Sequence, residues 1–263
     1  MRWVMGGLAV AGFALLYVPL LILVIYSFNA SQLVSVWGGW STRWYAELWT
    51  NDQVLGAAWV SLQVAVFAAT VGTIFGTLIG YILSRYGPFT LRTLFTAMAT
   101  APIVMPEVVT GLSLLLLFIS MEQVIGWPQG RSIITVVIAH ATFGMAFVAV
   151  VIQTRLADFD RSIEEAARDL GARQPQIFFG ITLPVIAPAL LSGWLLAFTL
   201  SLDDLVIASF VSGQGSSTLP MVIYSKVRLG VSPDVNALGT IIIAVVATGL
   251  ILAALASRPR RGP

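Results

Sequence analysis

Six long, mainly apolar stretches constrain this chain more than any other feature: roughly residues 8–28, 57–83, 93–120, 132–154, 189–211 and 236–256. A helix rises ~1.5 Å per residue, so about 20 apolar residues cross the hydrocarbon layer of a bilayer. Charged residues make up only 10% of the chain, against about 25% in a typical soluble domain. A water-soluble fold of this size could not cover its surface with so few polar side chains. The expected class is an all-α integral membrane protein with six transmembrane helices. The first run is longer than the ~7–15-residue core of a signal peptide. It closes on Tyr26-Ser27-Phe28-Asn29 rather than on small residues, so it reads as a retained helix. A net charge of +2 gives no reason to expect a nucleic-acid partner. The absence of cysteine excludes disulfides and thiolate metal sites.

Between the first two runs lie Trp37, Trp40, Trp44, Tyr45 and Trp49. This is the composition of a segment anchored at the membrane–water interface; the alternative is a docking surface for a partner outside the membrane. Basic residues set the orientation. With the N-terminus inside, the inner side carries Arg2, Arg85, Arg92, Arg155, Arg161, Arg168, Arg173, Arg258, Arg260 and Arg261, and the outer side carries Arg43, Arg131, Lys226 and Arg228. The positive-inside rule therefore favours N-in/C-in. The expected organisation is a first helix with an outer interfacial segment (1–56), a core transmembrane domain (57–256) containing an inner loop at 155–188, and a basic inner tail (257–263). Pro102 and Pro106 each remove a backbone donor and are expected to kink or interrupt the third span, which is tolerated where a helix lines protein or a water-filled cavity. His140, alone in the fourth span, reads as a satisfied packing residue rather than a ligand.

The inner loop contains the longest charge-rich stretch, residues 161–188. Ser162 followed by Glu165 has capping-box spacing. Ile163, Ala166, Ala167 and Leu170 form one narrow apolar stripe. Gly171 suits a left-handed C-cap, and Pro175 suits the first turn of a second short helix. One reading is a surface helix packed on its own protein. The spacing offers another. Glu165-Ala166-Ala167, Gly171, Ile181 and Leu183-Pro184 match every fixed position of the EAA loop that this stretch resembles, that of ABC-importer permeases. The resemblance implies a coupling helix seated in a groove of a separate ATPase subunit, with Ile163, Glu164, Glu165, Ala166, Ala167, Leu170 and Gly171 as the coupling residues. Small alanines allow close approach. No P-loop pattern is present, and Lys226 is the sole lysine, predicted outside. A Walker lysine must reach nucleotide phosphates, so the chain is not expected to be an enzyme, and energy must come from a partner.

Three carboxylates fall inside expected spans: Glu107, Asp203 and Asp204. A charge at the centre of a spanning helix costs roughly 2.5–3.5 kcal/mol. Counting ~1.5 Å per residue from the inner ends puts all three roughly 20 Å deep, just past the midplane. Adjacent residues point about 100° apart, so Asp203 and Asp204 cannot share a direction; one is expected to face a pathway and the other to bond locally or meet a neighbouring subunit. No arginine or lysine lies within a span to neutralise them. One reading is a pathway for a cation such as an ammonium group, with Trp194 or Phe198 adding cation–π attraction. The other is that the acids cap broken helices or pair with an arginine of a partner chain.

Residues 18–29, 40–48, 101–118 and 192–213 resemble the polyamine (putrescine/spermidine) ABC-importer permeases, most closely the putrescine type. The similarity extends over nearly the whole chain. It implies the type I ABC-importer permease (MetI-like) fold in a bacterial inner membrane and a heterodimer with a second permease subunit. It also implies a cytoplasmic ATPase homodimer that holds ATP and Mg, and a periplasmic polyamine-binding protein. No cofactor is expected in this chain. The function expected is alternating-access uptake of putrescine, driven through the coupling helix, with residues 212–224 a candidate contact for the binding protein. Alternatives are another cargo, such as spermidine or a different cation, or an ion-driven secondary transporter using Glu107 and Asp203.

Overall fold

The computed structural model describes residues 2–33, 36–229 and 233–256; the expected tail 257–263 lies outside the described residues. Among these the chain is helical: α1 (Arg2–Tyr26), α2 (Arg43–Trp49), α3 (Asp52–Arg85), α4 (Arg92–Val104), α5 (Glu107–Ile125), α6 (Ile133–Ala157), α7 (Ser162–Asp169), α8 (Gln174–Ile177), a π-helical turn (Phe178–Thr182), α9 (Leu183–Asp203), α10 (Val206–Val211), α11 (Leu219–Leu229) and α12 (Pro233–Ala256). Among the described residues, five helical stretches are long and apolar enough to cross a bilayer: Met5–Tyr26, Asp52–Arg85, Glu107–Ile125, Ile133–Ala157 and Gln174–Asp203. The sixth expected span falls in α12, which is apolar over Pro233–Thr248.

Two expected spans are interrupted. The third divides at Met105 and Pro106. Met105 precedes a proline, which disfavours the helical region, and it is extended at φ −76°, ψ 139°. Pro106 caps α5 at φ −56°, ψ 136°. Pro102 does not interrupt the chain; it stays inside α4. The fifth span, expected over 189–211, ends at Asp203 and restarts at Val206. No proline lies at this second break. Asp204 is extended there, at φ −65°, ψ 123°.

The structure divides into two packed units, and the division differs from the expected 57–256 core. The described parts of Met1–Gly56 and Val222–Pro263 form one unit, so α12 packs with the N-terminal helix. Gly239 of α12 makes this possible: a Cβ there would stand 3.2 Å from the Leu23 side chain of α1. Lys226 of α11 forms an ion pair with Asp234 of α12. In the outer segment, Asn29 is buried and accepts from the Gly38 amide at 2.8 Å, while the Trp44 indole donates to the Asn29 carbonyl at 2.6 Å. Trp44 is thus interior, whereas Trp40 and Trp49 are largely exposed.

The other unit, Ala57–Met221, contains α6. This helix is apolar all round and is the most buried of the long apolar helices, although Ile134 and Val150 are exposed. Val136, Ala139, Ala146, Val148, Ile152 and Leu156 are sealed within it. Gly72, Gly76 and Gly80 of α3 lie on successive turns against α6. Cβ atoms built there would stand 3.2, 2.6 and 2.9 Å from the carbonyl oxygens of Ala141, Met145 and Ala149. Small residues at four-residue spacing let two backbones meet this closely. At the end of α3, the Arg92 guanidinium donates to the carbonyls of Leu83, Tyr86 and Gly87 at 2.7–2.8 Å, satisfying acceptors the helix leaves open.

Candidate functional site

The loop between α6 and α9 holds α7 by both ends. The expected Ser162–Glu165 capping box does not form. Ser162 is the first helical residue instead, and its amide donates to Asp160 Oδ1 at 2.9 Å. Bonds from the Ser162 amide and hydroxyl hold the Asp160 carboxyl below its ordinary pKa. At the other end Gly171 is left-handed, at φ +86°. Its amide donates to Arg168 O at 2.8 Å, and the Ala172 amide donates to Ala167 O at 3.0 Å. This pair of bonds is the Schellman termination. Pro175 lies in the first turn of α8, as expected.

The two glutamates of α7 point to opposite environments. Glu165 is exposed, with Ala166 beside it and Ala167 half-buried. Ile163 is 48% exposed and Leu170 is 89% exposed, so the apolar stripe is not packed on this chain. Glu164, expected among the residues that meet an ATPase, is instead an interior residue with its side chain 2% exposed. Its Oε2 lies 2.8 Å from Nε of Arg85, the last residue of α3, whose side chain is 3% exposed. Its Oε1 accepts from the Thr182 hydroxyl at 2.7 Å. Arg85 also donates to Leu156 O at 3.1 Å. The ion pair stands at the inner end of α3, where nothing in the sequence reading located a partner for Glu164.

Both helix breaks carry carboxylates. Glu107 is the first residue of α5 and Asp203 the last of α9, and both are exposed. Helices α5 and α10 pack together across Gly111, where a Cβ would meet the Phe210 ring at 2.8 Å and Ile207 Cα at 3.3 Å. Both run toward the start of α6: α5 through residues 126–132, and α10 through the Thr135 hydroxyl, which donates to Val211 O at 2.7 Å. Glu107 lies one helical turn before Gly111, and Asp203 lies just before the break that precedes α10.

Asp204 is occupied by its own chain. It is buried, and Oδ1 accepts from the Ala208 amide at 2.8 Å and lies 3.3 Å from His140 Nε2. His140 Nδ1 and the Ser201 hydroxyl are 2.7 Å apart. This cluster ties α6 to the α9–α10 break. Trp194 and Phe198 stack at 5.2 Å between ring centroids. The indole donates to the Thr70 hydroxyl of α3 at 3.1 Å, and both rings pack against the cluster containing Val148 and Ile152. Nine residues separate Trp194 from Asp203, which at ~100° per residue puts them on opposite sides of α9. Trp194, one of the two aromatic residues expected to attract a cation, is therefore turned away from that carboxylate.

The glycine ladder on α3 was open to sequence reading, since Gly72-x-x-x-Gly76-x-x-x-Gly80 is a recognised close-packing pattern. Arg85 and Thr182 had no local signal. Among the described residues, no group of three or more metal-ligating side chains converges.

Residues 72–260 match the family described as the binding-protein-dependent transport system inner membrane component. Over 235 residues, 89% of this chain and 84% of the relative, the chain is 59% identical to the putrescine transport system permease protein PotI of Escherichia coli strain K12. It is 41% identical over 263 residues to the spermidine/putrescine transport system permease protein PotC of the same strain, covering 98% of this chain and 96% of the relative. Among solved structures, a bacterial ABC transporter involved in the import of the acidic polysaccharide alginate superposes with a TM-score of 0.71 at 17% identity, over 98% of this chain and 96% of that one. An inward-facing MetNI methionine ABC transporter superposes with a TM-score of 0.59 at 17% identity, over 79% and 94%. The structural likenesses establish the ABC-permease fold, and the sequence matches establish descent. This chain belongs to the binding-protein-dependent transport system inner membrane component family, and is a multi-pass, non-enzymatic permease subunit of an ABC importer.

Proposed function

We propose that this chain is one of two permease subunits through which putrescine enters the cell. The observation that carries the mechanical part is α7. Its Ile163 and Leu170 side chains stand open on a helix that Glu164 anchors inside the chain. An apolar stripe left this exposed suits a groove on a cytoplasmic ATPase. ATP and its Mg are held by that ATPase homodimer. Closure of the homodimer drives α7, and the pathway turns outward to receive cargo from a periplasmic binding protein. The choice of cargo is supported by the 59% identity to a putrescine permease against 41% to a spermidine/putrescine one. The exposed Glu107 and Asp203 at the two breaks offer negative charge to a diammonium ion on its way through.

The test is reconstitution of the chain with its second permease, ATPase and binding protein in liposomes, followed by uptake of labelled putrescine and spermidine. Uptake that requires ATP and prefers putrescine is expected. Spermidine preference would reject the cargo. Uptake that ignores ATP but collapses with the proton gradient would reject the ATP-driven mechanism in favour of a secondary transporter.

A further inference from the structure

We infer that Glu164 is a positioning residue that makes the coupling helix drive α3 and the entry of α9 together. The inference rests on the reading of α7 as the helix that docks on the ATPase. The loop is covalently joined to α6 and α9 but not to α3, so any motion it imparts to α3 must pass through non-covalent contacts. The Arg85–Glu164 pair is the buried one, with both side chains 2–3% exposed. Other contacts reach the same end of α3: Arg161 donates to Ser84 O at 2.7 Å, Gln174 bonds the Tyr81 hydroxyl, Phe178 meets Tyr81 edge-on at 4.8 Å between ring centroids, and Phe159 lies under the Arg85 guanidinium. Arg161 is exposed, so its bond competes with water. A buried ion pair has no such competitor, and separating it leaves two desolvated charges. It therefore transmits displacement where a surface bond would slip.

The remaining Glu164 oxygen holds Thr182, the last residue of the π-helical turn. Such turns have a widened hydrogen-bond ladder and occur as single irregular turns within helices, frequently at functional sites. The two arms of Glu164 therefore end on unlike elements. Arg85 terminates a helix locked to α6 by the glycine ladder. Thr182 closes a turn whose bonding pattern can change. Movement of α7 shifts the α3–α6 pair as one body while the π turn absorbs the difference at the start of α9. This assigns Glu164 and Glu165 separate tasks, Glu165 outward toward the partner and Glu164 inward to the load.

The experiment uses the reconstituted complex with putrescine and the binding protein, and reads putrescine transported per ATP hydrolysed together with the amount of ATPase that co-purifies. In Glu164→Gln the ATPase stays bound and active, while transport per ATP falls about tenfold, within the roughly 5–150-fold range typical of coupling between sites. Arg85→Gln behaves the same way, and Arg85→Lys, which keeps the charge, recovers part of the ratio. Thr182→Val, which removes only the hydroxyl at nearly constant shape, gives a smaller fall. An unchanged ratio in Glu164→Gln overturns the inference, as does loss of the ATPase from that complex, which would make Glu164 part of the docking surface. If Glu164→Gln does not accumulate, Thr182→Val and Arg85→Lys decide on the same ratio: wild-type values in both overturn the inference. Failure of the wild-type complex to couple uptake to ATP would reject the docking-helix reading itself, a separate outcome.

Discussion

Gly76→Ala places a methyl group between α3 and α6. On the present backbone its Cβ would stand 2.6 Å from the Met145 carbonyl oxygen and 2.7 Å from Val148 Cβ. Ordinary contact begins at 3.4 Å, so the helices must part by about 0.8 Å, enough to weaken dispersion contacts along the seam. Neither obstacle is the free end of a flexible side chain. Overpacking of this kind costs ~1–3 kcal/mol, against ~0.5–1 kcal/mol gained by alanine over glycine within a helix. The net expectation is a loss of up to about 2.5 kcal/mol. Gly56→Ala, on the same helix, is the control, because its Cβ meets nothing within 4 Å. Thermal unfolding of both variants in one detergent, followed by circular dichroism, should show a lower midpoint for Gly76→Ala and an unchanged or higher one for Gly56→Ala. Equal midpoints for the two variants would refute the close-packed seam.

Three further outcomes are expected. Gly171→Val forces a β-branched residue to φ +86°, a strain of roughly 1–2 kcal/mol; ATP hydrolysis by the complex should persist while uptake per ATP falls, and normal uptake would show the turn to be immaterial. Asp203→Asn should weaken putrescine uptake without loss of assembly, whereas Asp204→Ala should lower the unfolding midpoint by the equivalent of ~1–3 kcal/mol, because the buried Ala208 amide loses its acceptor; the reverse pattern would exchange their roles. The Asp160 carboxyl is held below its ordinary pKa by Ser162, so its support of the α7 start is complete above about pH 4 and is lost as pH falls further. Hydrogen exchange at the Ser162 amide, corrected for the intrinsic rate, should quicken in that acid range in wild type and not in Asp160→Asn.

The apolar runs were legible because lipid imposes length and composition on each span separately, with no reference to the rest of the fold. The inner loop was legible for a similar reason: the left-handed turn at Gly171 and the start of α8 at Pro175 are local backbone constraints. Competition between local signals was harder to read. Ser162 and Glu165 have capping-box spacing, but Asp160 reaches the same amide first. The phase of α7 was not legible. Glu164 and Glu165 are chemically identical neighbours, and only the position of Arg85, distant in sequence, decides which one turns inward. The second helix break was also hidden, because residues 203–205 contain neither proline nor glycine and the interruption depends on Ala208 and His140. The opposed placement of Trp194 and Asp203, by contrast, follows from their spacing along one helix.

The two interruptions differ in permanence. Pro106 has no amide hydrogen, so a hydrogen-bond donor is missing from the α4–α5 boundary by covalent structure, whatever the surroundings do. Asp204 and Leu205 keep their amides, and the α9–α10 gap is maintained by a carboxylate that has claimed one amide and leans on an imidazole. One discontinuity is built into the polymer. The other is an equilibrium position of side chains, and the backbone there retains every donor needed to close into an unbroken rod.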